Sequence, residues 1–469
     1  MAKQINPIEN RLSDEQQNIF NQIISDVKNS IEYNQKIILS LSGAAGTGKT
    51  YLLSRIIQYM AQNHRVIATA PTHKALSVIE TNLANLKHNN VTFSTIHSFL
   101  GVRLVRDFLT GEEAYRVDEH AFVKKVDFLI VDESSMINSK LFFYIQEALR
   151  KDQTKAVLFV GDPFQLLPID NDKSIVFDSV SKHFYLTEII RQKGDSYIID
   201  VAVQIKEIIE HKQKILLENF FYTNRDIGID YFYDMESFYG DFCKNENWDN
   251  ENKIIACFTN KSVSRHNNIL RCRFWQEKAN LDVCATDFHI GDKVIFQESY
   301  MTKKDSILLN NQKVELAYAK KVFFHELGIH IWICKDKEQN DIYIVDSADR
   351  QRHQQFLDNI VNNIRNSRNV NTKIMWKNFF QFKYSFAQVK YQFASTIHKL
   401  QGSTLDTIYI DLTDITKNKN LDMEQMFRLL YVAVTRASKN VKVLLPISEE
   451  DSIGYIQNCF YNLSPILSL

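Results

Sequence analysis

The feature that most constrains this chain is a glycine-rich segment near its N-terminus. Residues Gly43–Thr50 match G-x-x-x-x-G-K-[ST] between an apolar run at 36–42 and a helix-competent run at 51–61. In such a strand–loop–helix unit, backbone N–H groups and a helix N-terminus surround a phosphate. We therefore predict a nucleotide site in which Lys49 reaches the phosphates and Thr50 binds Mg²⁺. The predicted cradle comprises Gly43, Ala44, Ala45, Gly46, Thr47, Gly48, Lys49 and Thr50.

Length and composition indicate an ordinary folded protein. The chain has 469 residues, enough for two to four domains. It contains no run of about 18 apolar residues and begins with no apolar signal core, so we expect a cytoplasmic protein without a membrane span. The six cysteines never form a C-x-x-C pair. This spacing argues against a zinc or iron–sulfur module and favours reduced thiols.

The overall charge gives no sign of nucleic-acid binding, because 56 basic residues balance 56 acidic ones. Residues 359–405, however, contain no Asp or Glu, and their Lys and Arg residues alternate with aromatic residues such as Trp376. Basic groups can follow phosphates while aromatic faces stack on bases. The alternative is an aromatic core with a fringe of solvated lysines, which is the commoner use of aromatic residues.

Two strand ends carry residues suited to nucleotide hydrolysis. The apolar run at 126–131 ends in Asp132 and Glu133. After a phosphate-binding loop, a strand-end aspartate can hold Mg²⁺ and the adjacent glutamate can activate water. A second run at 156–161 is followed by Gln165, which either senses the γ-phosphate or belongs to a plain turn.

Hydroxyl and histidine residues follow other strands. Residues 71–74 and Ser94–Ser98 combine small hydroxyls with His73 and His97, a chemistry that positions a phosphate backbone. Each histidine taken alone is more often structural. Near the N-terminus, Ser13 and Gln16 fit a capping box at the start of an amphipathic helix.

Two segments interrupt the α/β pattern. Residues 101–118 predict a hairpin with a turn at Thr110-Gly111 and Phe108 near its tip, which on its own is equally a surface decoration. Short alternating runs between 289 and 345 predict a small inserted barrel or hairpin array. The α/β pattern resumes at residue 394.

Eight segments, taken in chain order, resemble the motifs of superfamily 1B DNA helicases. They are Gly43–Thr50, Ala70–Lys74, Ser94–Ser98, Val131–Ser134, Gly161–Pro168, Arg191, Ser395–Thr404 and Tyr431–Ala437. The resemblance covers residues 12–445 and is weakest across 300–390. It implies an α/β fold with two RecA-like P-loop domains built on parallel sheets, a small β-hairpin insertion and an SH3-like β-rich insertion. The implied divisions are 1–97 with 121–177 for domain 1, 98–120 for the pin hairpin, 178–290 with 392–469 for domain 2, and 291–391 for the SH3-like insertion.

The resemblance also implies roles for individual residues. The catalytic set is Lys49, Thr50, Asp132, Glu133, Gln165 and two arginine fingers, Arg191 and Arg436, with Thr50 and Asp132 on Mg²⁺. Gln16 matches a residue that reads adenine, so we favour an adenine-binding role for it over helix capping alone. Gly402 is placed in the nucleotide-binding site. The DNA-binding set is Pro71, Thr72, His73, Lys74, Thr95, His97, Phe108, Thr259, Asn260, Lys261, Trp376, Thr396 and His398.

The activity implied by the resemblance is that of an ATP- and Mg²⁺-dependent DNA helicase. It would move 5′-to-3′ on single-stranded DNA and unwind duplexes, as a monomer working at single-strand/double-strand junctions, alone or with replication or recombination proteins. Polarity comes from the resemblance only. The alternatives are an RNA helicase of the same superfamily and an ATP-switched clamp on single strands, although a clamp would not need Glu133.

Overall fold

The computed structural model describes residues 12–44, 46–83, 90–106, 110, 113–117, 125–166, 175–188, 197–213, 215, 217, 220–221, 228–283, 287–302, 307–367 and 371–445. Within these ranges, the side chains of 73–74, 104–106 and 113–115 are not described.

The first domain is built on a six-stranded parallel sheet. Its strands are β1 (Ile37–Gly43), β2 (Val66–Ala70), β3 (Val91–Thr95), β6 (Phe128–Val131), β7 (Ala156–Gly161) and β8 (Lys182–Leu186), in the order β3-β2-β6-β7-β1-β8. Its helices are α1 (Asp14–Glu32), α2 (Lys49–Met60), α3 (His73–Leu83), α4 (Ile96–Phe99), α5 (Ser139–Arg150) and α6 (Ile175–Asp178), with a 3₁₀ turn at Ser134–Met136.

Helices cover both faces of this sheet, which explains why its central strands are continuous apolar runs. Phe128 and Ile130 of β6 pack in one cluster with α1 and α2, whereas Leu129 and Val131 pack in another with α5. Alternate side chains of a strand point to opposite faces, so a strand covered on both sides must be apolar at every position.

The second domain repeats the plan with a five-stranded parallel sheet. Its strands are β9 (Asp230–Phe232), β10 (Lys253–Cys257), β18 (Ala394–Thr396), β19 (Leu405–Asp411) and β20 (Ala437–Leu444), in the order β18-β10-β19-β20-β9. Its helices are α7 (Tyr197–Glu210), α8 (Met235–Phe242), α9 (Asn260–Ala279), α12 (Ile397–Leu400), α13 (Leu412–Thr416) and α14 (Met423–Thr435), with a 3₁₀ turn at Trp248–Asn250. The two RecA-like domains that the sequence predicted are therefore present.

One predicted domain boundary is wrong. Strand β8 pairs with β1, from Leu39 opposite Lys182 to Gly43 opposite Leu186, so it belongs to the first sheet. The first domain therefore extends to Leu186 rather than ending at 177. The sequence held no sign of this pairing, because a strand's neighbour is chosen in three dimensions.

The predicted hairpin and β-rich insertion are both present. Strands β4 (Val102–Arg106) and β5 (Glu113–Val117) pair antiparallel as an isolated ribbon. The insertion holds β11 (Lys293–Phe296), β14 (Lys313–Phe324), β15 (Ile329–Asp336), β16 (Asp341–Val345) and β17 (Val389–Tyr391) in one sheet, ordered β16-β15-β14-β11-β17. A separate ribbon pairs β12 (Tyr300–Met301) with β13 (Ile307–Leu308).

The insertion also contains two helices that the sequence analysis did not predict. They are α10 (Arg350–Asn366) and α11 (Thr372–Lys383), preceded by a 3₁₀ turn at Ser347–Asp349. Leu357, Ile360, Val361 and Ile364 face α11 in a shared cluster. Their spacing of three and four residues is the helical signal that could have revealed α10.

These helices correct the interpretation of Trp376 as a DNA contact. Trp376 is only 2% exposed, and its ring stacks on Phe380 inside the helix-pair core. A ring buried in this way cannot stack on a base. The aromatic residues of this stretch form a core, whereas Lys373 and Lys377 remain exposed.

Two broader expectations can also be compared with the structure. Among the described cysteines, Cys243, Cys257 and Cys334 are free, but Cys272 is disulfide-bonded, so the expectation of reduced thiols is wrong for Cys272. Over the described ranges, every helix is too short or too polar to cross a bilayer.

We expect Trp376→Ala to loosen the helix pair selectively. Removing a buried tryptophan costs about 3–5 kcal/mol, and this loss should appear as faster amide hydrogen exchange in α10 and α11. The exposed neighbour Lys377→Ala is the control and should leave exchange unchanged. Weakened DNA binding without faster exchange would instead favour the stacking role.

Candidate nucleotide and nucleic-acid sites

The glycine-rich loop has the backbone form that its sequence predicted. Gly46 and Gly48 adopt φ of 88° and 77°, a region that side chains disfavour, and α2 begins directly afterwards. Lys49 Nζ folds back and donates to the carbonyl oxygens of Gly43 and Ala44, at 2.5 and 2.8 Å. The lysine is thus held over the loop by weak neutral acceptors, which a phosphate can replace.

Gln16 forms the predicted capping box and also contacts the loop. Its backbone N–H donates to Ser13 Oγ, and its side-chain Oε1 accepts from the Ser13 N–H. The Nε2 group donates to the Thr47 carbonyl at 3.2 Å. The helix cap therefore places this amide against the phosphate-binding loop, where the adenine role stays a prediction.

Asp132 and Glu133 form a close acidic pair at the end of β6. Glu133 adopts φ of 49°, a left-handed conformation that is strained for a glutamate, and its N–H donates to Asp132 Oδ1 at 2.9 Å. Burial, together with the negative charge of Glu133, raises the pKa of Asp132 to about 7, against the opposing effect of Lys49. A divalent cation would relieve this repulsion, so the pair fits Mg²⁺.

Charged groups from both domains act on Lys49. Burial lowers the pKa of Lys49, and the carboxylates of Asp162, Glu133 and Asp132 oppose that shift. Arg436, at the end of α14 in the second domain, lowers the Lys49 pKa further because it is a like charge. Arg436, the predicted arginine finger, is therefore close enough for its charge to affect Lys49, and its catalytic role stays a prediction. The structure also adds Asp162, which the sequence analysis passed over because nothing marked it apart from the turn.

Several buried polar atoms at this junction have no hydrogen-bond partner within the described part of the chain. They include Gln165 Oε1 and Arg436 Nε, on side chains only 4% and 8% exposed. Gln401 Nε2 and Ser403 Oγ, on either side of Gly402, are also buried without a hydrogen-bond partner among the described residues. Buried polar groups are normally paired, so this cluster calls for a polar ligand. A nucleotide triphosphate supplies acceptors for the arginine and fits this demand.

Gly402 lies where the two domains meet. Its φ is +71°, and an added Cβ would lie 3.3 Å from the Cβ of Ala75 at the start of α3. The glycine that was predicted to bind nucleotide therefore makes a close interdomain contact. Its part in nucleotide binding stays a prediction.

Two candidate DNA contacts occupy equivalent places in the two domains. Ser94-Thr95-Ile96-His97 and Ser395-Thr396-Ile397-His398 have the same sequence, and each runs from an edge strand into a one-turn helix. Thr95 Oγ1 caps its helix by accepting from the Ser98 N–H at 3.2 Å. Burial lowers the pKa of both His97 and His398, so both are neutral near pH 7 and offer hydrogen bonds instead of charge.

The remaining DNA candidates divide into three groups. Pro71 and Thr72 are half-buried at the start of α3, where Thr72 Oγ1 accepts from the Ala75 N–H. Thr259 Oγ1 donates to Asp414 and caps α9, so this hydroxyl already serves the fold, whereas Asn260 and Lys261 are exposed. Ala45, Phe108, Arg191 and the side chains of His73 and Lys74 lie outside the described residues.

We expect Mg²⁺-dependent nucleotide binding to weaken as pH falls through about 7. The raised pKa of Asp132 keeps its carboxyl protonated below that value, and a protonated carboxyl does not ligate a cation. Titrating Mg²⁺ with bound nucleotide should show about a tenfold loss of affinity from pH 8 to pH 6. Glu133→Gln removes the neighbouring charge and should move the midpoint to lower pH; an unmoved midpoint would contradict the coupling.

We expect Gly402→Ala to destabilise the protein and slow nucleotide hydrolysis. Alanine at positive φ costs about 1–2 kcal/mol, and its methyl group would press on Ala75. Gly240→Ala is the matched control, because Gly240 lies within α8 with no atom within 4 Å of an added Cβ. Thermal unfolding should show a lower midpoint for the first variant and an equal or higher one for the second.

Comparison with known proteins agrees with this arrangement. Residues 28–171 match the family model described as an AAA domain, and residues 391–444 match the UvrD-like helicase C-terminal domain. The chain is 28% identical to the ATP-dependent DNA helicase dda of Enterobacteria phage T4, covering 92% of this chain and 98% of that one. It is 24% identical to an uncharacterized protein of Acanthamoeba polyphaga mimivirus, covering 88% of this chain and 97% of that protein.

A third relative is the ATP-dependent DNA helicase Pif1 of Campylobacter jejuni, which is 24% identical and covers 88% of this chain and 90% of its own length. Each of these three relatives aligns with at least 88% of this chain. The prediction from the motifs is therefore confirmed: the chain resembles the superfamily 1B helicases, and the phage Dda helicase among them.

Proposed function

We propose that this protein is an ATP-dependent DNA helicase that moves 5′-to-3′ along single-stranded DNA and unwinds duplexes. The observation that carries the proposal is the interdomain junction, where Lys49 of the first domain shares an electrostatic environment with Arg436 of the second. A nucleotide held by both would tie hydrolysis to relative movement of the domains. The names of the Dda and Pif1 relatives support DNA as the track.

The junction residues divide the work of hydrolysis. Lys49 leaves the carbonyls of its own loop for the phosphates. Thr50 and Asp132 would hold Mg²⁺, which would supply positive charge to the phosphates. Glu133, whose backbone adopts φ of 49° beside Asp132, takes the proton of the attacking water. Arg436 and Arg191 stabilise the charge that develops, an effect worth ~10³–10⁵ in rate in related NTPases.

The paired edge strands suit a stepping mechanism. Each domain ends its edge strand in the same Ser-Thr-Ile-His sequence, so each presents a similar set of small hydroxyls and a neutral imidazole to a backbone. Two similar grips on separately moving domains can hold the strand in turn. The β4–β5 hairpin, which includes Phe108 near its predicted tip, is the element that we propose separates the duplex at the junction.

Other features of the proposal come from the resemblance. These are the 5′-to-3′ polarity, adenine reading by Gln16, action as a monomer in a phage- or bacterial-type cytoplasm, and a link with replication or recombination proteins. An RNA helicase of the same superfamily is the alternative enzyme, and the 2′-hydroxyl would decide between them. An ATP-switched clamp would need to bind ATP but not to activate water, so it would not need Glu133 in its strained backbone conformation.

We expect ATP hydrolysis to be stimulated strongly by single-stranded DNA and weakly by RNA of the same sequence. Glu133→Gln should retain ATP binding but lose about 10²–10⁴ in turnover, because the water would lack its base. Glu147→Gln, on the exposed side of α5, is the matched control and should hydrolyse ATP normally. Equal stimulation by RNA would favour the RNA helicase, and normal turnover in Glu133→Gln would reject its role.

A further inference from the structure

The loop after β7, residues 162–166, belongs to the first domain by sequence but packs into the second. Leu166 is buried in the apolar cluster of the second domain, and Phe164 packs against that cluster. Lys206 of α7 lies over the Phe164 ring, 5.0 Å from its centroid. The loop that carries Gln165 therefore follows a strand of the first domain but packs against the second domain.

Helix α14 of the second domain holds the backbone of this loop. Arg428 Nη1 donates to the carbonyl oxygens of Pro163 and Gln165, at 2.8 and 3.0 Å. Glu424, one turn earlier on α14, binds the same guanidinium and fixes its direction. The two bonds constrain the carbonyls on either side of Phe164, so the loop cannot shift without α14.

A third bond joins the loop to the nucleotide site. Tyr431 Oη donates to Asp162 Oδ2 at 2.7 Å, while Asp162 Oδ1 accepts from the Phe164 N–H at 3.1 Å. Both side chains are fully buried. Asp162 also exerts the strongest favourable charge effect on Lys49. Asp162 therefore acts on the phosphate-binding lysine by its charge and is hydrogen-bonded to a hydroxyl of the second domain.

The helix that holds the loop also carries the arginine finger. Arg428, Tyr431 and Arg436 lie on α14 or at its C-terminal end, within eight residues of one another. Because α-helices are stiff over such short lengths, whatever moves the 428–431 end moves Arg436 as well. Gln165, held by Arg428, would travel with Arg436 and not with its own domain.

We propose that Tyr431 and Arg428 are positioning residues that fasten the 162–166 loop to the second domain, so that nucleotide binding at Lys49 is transmitted to α14 through Asp162. This inference rests on the proposed function. When phosphates engage Lys49, its charge is shared with them, and Asp162 depends more on the Tyr431 hydroxyl. The hydrogen bond then tightens, and the second domain is held against the nucleotide until the phosphates leave.

The test is Tyr431→Phe, which removes one hydroxyl and keeps the ring against Phe164. Tyr409→Phe is the matched control, because the Tyr409 hydroxyl also donates to a carboxylate, Asp241 Oδ2 at 2.8 Å, but within the second domain. ATP hydrolysis is measured with and without single-stranded DNA, together with KM for ATP and base pairs separated per ATP. Thermal unfolding of both variants is measured as well. Equal unfolding midpoints would show that a change in hydrolysis or unwinding does not come from lost stability.

We expect Tyr431→Phe to lower the DNA-stimulated kcat about tenfold, with KM for ATP within about twofold of the parent, and to lower the base pairs separated per ATP. Tyr409→Phe should retain all three values. In a double-mutant cycle, Asp162→Asn with Tyr431→Phe should be no worse than the more impaired single variant. Stimulation in Tyr431→Phe equal to that in Tyr409→Phe, or additive losses in the cycle, would overturn the proposal.

A second readout separates this inference from the proposed function. Energy transfer between one dye on each domain reports nucleotide-induced closing without DNA. We expect Tyr431→Phe to close less than the parent at saturating nucleotide, and Tyr409→Phe to close fully. If DNA fails to stimulate even the parent, the helicase proposal fails, while this measurement still decides the coupling: equal closing in all three proteins would reject it.

Discussion

The buried charge of Lys49 is the constraint on which the rest of the structure depends. A lysine withdrawn from water needs counter-charges, and here they come from three carboxylates at the ends of β6 and β7. Two of those carboxylates are adjacent, and burial together with the charge of Glu133 raises the pKa of Asp132 to about 7. Arg436 adds a like charge that opposes Lys49, and a bound magnesium nucleotide would supply counter-charges to both cations and a cation to the carboxylates.

This arrangement of charges connects chemistry to the relation between the domains. Each domain contributes one element to the junction. The first domain contributes the loop after β7, which packs against the second domain, and the second contributes α14, which ends at Arg436. Gly402 against Ala75 shows how closely the surfaces approach. In the proposed mechanism, a change at the phosphates would therefore act directly on groups shared by both domains.

The acid-free stretch of the insertion has a composition that is compatible with two structural roles. It combines basic and aromatic side chains, a pattern typical of single-strand binding and also of an ordinary core. The structure separates the two: Trp376, Phe379 and Phe380 form the core of a helix pair, and Lys373 and Lys377 stay in solvent. These three buried rings cannot stack on bases, and the exposed lysines are the groups of the helix pair that can approach a phosphate backbone.

The sequence by itself determined the nucleotide loop, the acidic strand end, the parallel α/β plan and the hairpin, because each depends on local chemistry: glycine at positive φ, apolar runs at strands, and turn residues between them. Only the tertiary structure decided that β8 joins the first sheet, that α10 and α11 bury Trp376, and that Asp162 binds Tyr431 while its charge acts on Lys49. Those outcomes depend on which distant segments pack together, and a one-dimensional pattern does not record the partner of a buried side chain.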